Sequence, residues 1–271
     1  TVGEGSDTTS LRLPGVQPEL LNALLDTGKP VVVVVSSGRP YNLERGFSDA
    51  SAVLQVWLPG EEGAAAIVDV LYGSVNPGGK LPVSIPKCAG ALPYFYNHKL
   101  KSAGTPIQHH FGAAYPFGFG LSYTEFALTD FDVTPATLDF HRELSVSCTV
   151  TNVGMRTGDQ VVQVYVRDLF ASLTRPVMEL KGYRRVRLEP GQGVRVRFGL
   201  SVDLFSFTDA GNRRVVEPGE FDVMIGSSSR DIAHTARISV VGEKQILGSE
   251  WMMTSTSEIL SDQTRRELGT R

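Results

Sequence analysis

The stretch KPVVVVVSSGRP (29–40) decides how the first half of the chain is read. Five consecutive valines ending in a Ser-Ser-Gly turn have no polar alternation, the pattern of a parallel strand buried on both faces. Upstream, Val16, Leu20, Leu21, Leu24 and Leu25 recur at helical spacing from Val16 to Asp26, with Gly28 just beyond as a stop. Downstream, SAVLQVWLPG (51–60) reads as a second apolar strand. GEEGAAAIVDVLYG (60–73) reads as a second helix, with Ala65, Ile67, Val68, Leu71 and Tyr72 on one face and Gly73 ending it. Helix, strand, strand and helix joined by short loops define an α/β layer. Such sheets hold ligands at the carboxyl ends of their strands, here the SSGRP (36–40) and WLPGEEG (57–63) loops.

Further along the signals change. NPGGKLPVSIPK (76–87), LPYFYNHK (92–99) and HHFGAAYPFGFGLSYT (109–124) are rich in Pro, Gly and aromatics without periodicity. They read as a long ordered loop region. From Phe126 the period becomes 2. ELSVSCTVTNVG (143–154) sets Leu144, Val146, Cys148 and Val150 against serines and threonines. QVVQVYVRD (160–168) sets Val162, Val164 and Val166 against Gln163, Tyr165 and Arg167. GVRVRFGL (193–200) and GEFDVMIG (219–226) repeat the pattern, with turns at EPGQG (189–193) and DAGN (209–212). Short alternating strands at this spacing predict an antiparallel immunoglobulin or fibronectin type III-like β-sandwich. The expected organisation is α/β plus all-β: residues 1–122 in a partial α/β/α sandwich domain with long loops, 123–242 in the β-sandwich, and 243–271 as a polar tail that packs elsewhere on the molecule.

The length of 271 residues fits two domains, and 41% hydrophobic with 20% charged residues is globular composition. A formal net charge of -3 offers no basic footprint for nucleic acid or an anionic membrane. No apolar run approaches the roughly 18 residues of a membrane-spanning helix, and the first residues carry no signal-peptide pattern. Cys88 and Cys148 give neither a disulfide framework nor zinc spacing and are expected to be free. Adjacent His109 and His110 lack a carboxylate at metal-site spacing, so neither a metal nor a cofactor is expected. GSVNPGGKLP (73–82) resembles a phosphate loop, but its lysine falls one place late and Leu81 follows it. No G-x-S-x-G elbow is present.

Carboxylates remain. Glycoside cleavage uses two, one to protonate the departing oxygen and one to attack the anomeric carbon or activate water. Glu4, between two glycines in GEGSD (3–7), is the best-placed acid, although a solvated terminus reads the same way. Glu61 and Glu62 come next, weighed against the ordinary use of acidic side chains at a helix start. Asp7 is a candidate turn cap or sugar-hydroxyl ligand.

These motifs, in order, resemble the C-terminal half of glycoside hydrolase family 3, the β-glucosidases and β-xylosidases. The resemblance runs through residues 3–43, 57–87, 94–126 and the sandwich after them. It implies a retaining β-glycosidase in which a TIM-like barrel supplies an aspartate nucleophile and a loop of the α/β domain supplies the acid/base glutamate. That glutamate maps onto Glu4, and Thr8 stands where arginine is common in the family segment. It further implies that the chain begins mid-domain on the catalytic loop and is inactive without the barrel. Asp7, Glu62, His98, His109 and Phe111 are the substrate-side candidates, while Tyr115, Phe117, Phe119 and Tyr123 are expected to pack. The expected partners are a β-glucoside or β-xyloside, the catalytic barrel and a second copy of the chain, in a periplasmic or secreted setting. The alternative reading is a non-catalytic carbohydrate-binding, structural or assembly subunit of the same fold.

Overall fold

In a computed structural model, residues 5, 7–100, 112–140 and 142–260 are described. The chain divides into two compact units, one of residues 1–75, 82–95 and 106–116, the other of residues 76–81, 96–105 and 117–271.

The first unit contains α1 (Gln17–Leu25), β1 (Val32–Ser36), α2 (Arg45–Asp49), β2 (Ala52–Trp57), α3 (Gly63–Leu71), β3 (Ile85–Pro86) and β4 (Ala113–Tyr115). Pro18 stands at the start of α1, where a missing N–H costs nothing. Gly28 and Gly73, at φ +68° and +78°, follow α1 and α3, as the sequence predicts. β1 and β2 pair in parallel, Val32 opposite Ala52 through Val35 opposite Gln55. The valine run differs from expectation in its burial. Val33 and Val35 pack with Leu21, Tyr41 and Leu43, whereas Val32 and Val34 are 51% and 38% exposed. The strand is therefore covered on one face by the described residues. The short α2 was not expected, because RGFSD is too brief to show a helical period.

The second unit holds the sandwich: β5 (Phe126–Thr134), β6 (Thr137–Leu138), β7 (Glu143–Asn152), β8 (Gly158–Asp168), β9 (Glu179–Leu188), β10 (Gly193–Ser201), β11 (Phe207–Thr208), β12 (Arg214–Val216), β13 (Gly219–Gly226), β14 (Ile232–Val240), β15 (Gln245–Ile246) and β16 (Thr256–Leu260). One sheet runs β16-β10-β7-β5, the other β6-β14-β13-β8-β9, with a small third sheet β11-β12-β15. β16, within the expected tail, thus joins the sandwich, with Leu260 opposite Arg195 of β10. Leu144, Val146, Cys148 and Val150 of β7 and Val162 and Val164 of β8 are fully buried in one core with Phe198, Phe221 and Ile225. Each such side chain contributes about 1.5–3 kcal/mol of burial. Burial pushes the Cys148 thiol up to about 12, so it stays protonated and acts as a small apolar filler. The opposite face of β8, read from its alternation as polar, is buried too. Tyr165 is covered by Tyr96, whose ring lies 6.0 Å away edge-on. Tyr165 donates its hydroxyl hydrogen to Gln163, which in turn donates to Ser227 O and to Gly118 O.

Asn152, fully buried at the end of β7, closes the sandwich. Its Nδ2 donates to Arg156 O at 2.7 Å and Leu188 O at 3.0 Å. Its Oδ1 accepts from Thr124 Oγ1 at 2.7 Å and the Gly154 N–H at 3.2 Å. One amide therefore ties the entry to β5, the β7–β8 turn and the end of β9.

Candidate active-site loops

A parallel pair places the carboxyl ends of its strands at one edge. In the first unit that edge is built by the loops after β1 and β2. Ser36 lies opposite Trp57, its hydroxyl donates to Trp57 O at 3.1 Å, and the Ser37 N–H donates to the same carbonyl at 3.0 Å. Gln55 Nε2 donates to Ser37 Oγ, whose own hydrogen goes to Arg39 O. Trp57 takes φ +53°, a left-handed conformation costly for an aromatic residue, as β2 turns into its loop.

The segment following Glu4 is rooted beside the loop after β1. Arg12 and Asn42 form a parallel bridge, the Asn42 N–H donates to Leu11 O at 2.7 Å, and Arg12 Nε pairs with Glu44 Oε1 at 2.9 Å. That ion pair is exposed and contributes little energy. The buried Leu11 and the backbone bond do the holding. A shallow groove of about 280 Å³ lies along this segment, with polar walls from Thr8, Ser10 and Arg12 and an apolar wall including Leu13 and Tyr41.

Glu4, His109 and Phe111 lie outside the described residues. Asp7 and Glu62 are both exposed, and Glu62 stands at the N-terminal boundary of α3 without a side-chain capping bond. His98 belongs to the second unit, half-buried, with Nδ1 3.0 Å from Lys99 O. Among the described residues no group of His, Cys, Asp and Glu could hold a metal ion.

Sequence reading missed the setting of His98. The Val177 N–H donates to His98 O at 2.9 Å, Lys99 bridges Pro176 antiparallel, and the Leu180 N–H donates to Tyr96 Oη at 3.0 Å. Tyr96 also stacks on Phe117 with ring centroids 4.2 Å apart. Beside this contact runs an ionic cluster. Arg175 Nη2 donates to Glu179 Oε2 at 2.8 Å, and Arg175 Nε stands 3.4 Å from Asp168 Oδ2 without hydrogen-bond geometry. Lys181 Nζ reaches Glu179 Oε1 at 3.4 Å. Burial pushes the Asp168 carboxyl up to about 6, against the pull of Arg175 and the Phe170 N–H and with Glu217 repelling its charge. A raised folded-state pKa means that the folded protein binds this proton more tightly than the unfolded chain. Asp168's stabilising share is therefore complete below the unfolded value and is lost as pH rises through about 6. Asp168→Asn is expected to gain on the parent by roughly 1–3 kcal/mol between pH 4 and pH 7, read from urea unfolding across that range. A constant difference would contradict it.

A parallel strand pair flanked by helices is followed by a fibronectin-type sandwich. Residues 1–123 match the glycosyl hydrolase family 3 C-terminal domain, and residues 160–229 match the fibronectin type III-like domain. The chain belongs to glycosyl hydrolase family 3. It is 38% identical, over 83% of its length and 31% of the relative's, to the periplasmic beta-glucosidase of Salmonella typhimurium. To a beta-xylosidase of Formosa agariphila it is 40% identical over 85% of its length and 32% of the relative's. The crystal structure of a beta-glucosidase from Listeria innocua in complex with glucose superposes with a TM-score of 0.83 at 34% identity, covering 89% of this chain and 35% of that one. The chain thus spans about a third of the length of these relatives.

Proposed function

We propose that these residues form the C-terminal part of a retaining β-glycosidase that removes terminal β-linked glucosyl or xylosyl residues. Glu4 is its general acid/base, and a barrel outside residues 1–271 supplies the aspartate nucleophile. The family membership, with relatives named as a beta-glucosidase and a beta-xylosidase, is the observation that carries this reading. Residues 1–122 act as the acid-bearing α/β domain, 123–242 as the sandwich and 243–271 as its tail. The Salmonella relative's name supports a periplasmic or secreted setting.

The chemistry assigns each group a task. A general acid must hold its proton at neutral pH, which requires burial or a nearby negative charge to raise its pKa. Closure of the barrel over the loop supplies both, with the nucleophile carboxylate about 5–5.5 Å from Glu4 as retention demands. Glu4 then protonates the departing oxygen while the aspartate attacks the anomeric carbon. In the second step Glu4 removes a proton from the water that releases the sugar. Asp7, Glu62, His98, His109 and Phe111 border the substrate.

The purified 271-residue chain is expected to leave 4-nitrophenyl β-glucoside and β-xyloside intact, with hydrolysis appearing once the barrel polypeptide is joined to it. Turnover by the chain alone contradicts the division of catalytic groups. A joined enzyme without turnover favours a binding or assembly role.

A further inference from the structure

The connection from β8 to β9 is pinned at both ends by buried charge, and it carries the segment that includes His98. Asp168 closes β8 and Glu179 opens β9, and Arg175 lies between them with its side chain 13% exposed and that of Asp168 7%. The Arg175 guanidinium sits 4.7 Å over the Phe207 ring, so it is fixed from a third side. Nearer β8, Ser172 donates from both its N–H and its hydroxyl to Glu217. A buried pair with an unpartnered Asp168 oxygen is poorly suited to add stability, since the desolvation cost consumes the attraction. It is well suited to define one geometry. The two residues that follow Arg175 are the ones paired with Lys99 and His98.

We propose that Arg175 is a positioning residue: by joining Asp168 to Glu179 it sets the 176–177 backbone against which residues 98–99 pair, and so fixes His98 for the substrate. The aromatic side of the clamp is Tyr96, held by the Leu180 N–H and by Phe117. Neither residue touches substrate in this role, which rests on the reading of His98 as a substrate-side group.

The test has two parts. In the 271-residue chain, Arg175→Met is expected to speed hydrogen exchange at the Val177 amide by about tenfold or more, while the Val164 and Val223 amides keep the parent rate. Arg175→Lys, which retains a charge for Glu179, restores most of the protection. Should Arg175→Met fail to fold, Tyr96→Phe removes the acceptor of the Leu180 N–H, and that amide is expected to exchange about tenfold faster. In the enzyme joined to its barrel, the same variants are expected to raise KM about tenfold and change kcat less than about twofold. Unchanged exchange at Val177 and Leu180 overturns the clamp, as does an equal rise at every amide. Faster local exchange with KM unmoved, in an enzyme that still loses turnover on Glu4→Gln, overturns the positioning role alone. If Glu4→Gln leaves turnover intact, the proposed function falls, and the exchange data still decide the clamp.

Discussion

Glu4→Gln, in the enzyme that joins residues 1–271 to the barrel, is expected to lower kcat on glycosides with poor leaving groups, such as cellobiose, by about 10²–10⁴-fold. The loss has a direction that separates roles. An alkoxide leaving group needs a proton as the glycosidic bond breaks, and an amide side chain cannot deliver one. A dinitrophenolate departs without protonation, so glycosylation with that substrate is expected to remain near the parent rate. Deglycosylation then limits turnover, because the attacking water has lost its base, and a burst of dinitrophenol precedes a slow steady state. Stopped-flow release of the phenol across a series of leaving groups measures this directly. A uniform loss across the series contradicts the assignment of Glu4 as acid.

Asn152→Ala is expected to destabilise the sandwich by about 3–5 kcal/mol, since it takes the partner from four bonded groups, two of them at buried residues. Those groups are the Thr124 hydroxyl, the Gly154 N–H and the carbonyls of Arg156 and Leu188. The sum of single hydrogen-bond values exceeds this figure, and some relief comes from water reaching the turn at Arg156. For a domain of this size the loss corresponds to a fall of about 10–20 °C in Tm. Calorimetry reads it, and a shift below about 3 °C would mean that the turn re-forms its bonds without the amide. Thr124→Ala removes a single partner and is expected to cost about 1–2 kcal/mol, which distinguishes loss of one bond from loss of the hub.

Much of the architecture was legible because it is written in local periodicity. The alternation of Leu144, Val146, Cys148 and Val150 is the buried face of β7, and the glycines at 28 and 73 follow their helices at positive φ. What the local pattern could not carry is what lies on the second face of an element. Val32 and Val34 are as apolar as Val33 and Val35, yet only the latter two join the packed cluster. Gln163 and Tyr165 occupy the polar register of β8 and are buried because Tyr96 lies against Tyr165 and the backbone at Gly118 and Ser227 meets Gln163, all from distant sequence. The same reason hid the environment of His98, whose partner Val177 is far along the chain. A single cue was available: the run TRPVMELKGY (174–183) places Arg175 and Glu179 at i and i+4 before a strand, a charge pair with no helix to explain it.

The proposal of Glu4 as the acid comes from a family motif, since no periodicity marks its segment. The structure adds its root, the Leu11 and Arg12 contacts with Asn42 and Glu44 at the ligand edge of the β1–β2 pair.

The most direct test is the product formed when sodium azide is added to the barrel-joined Glu4→Ala enzyme turning over a dinitrophenyl β-glucoside. Azide needs no general base to attack a glycosyl-enzyme intermediate, so turnover is expected to recover with β-glucosyl azide as the product. An α-glucosyl azide would make Glu4 the nucleophile, and no recovery at all would remove it from the proton-transfer role.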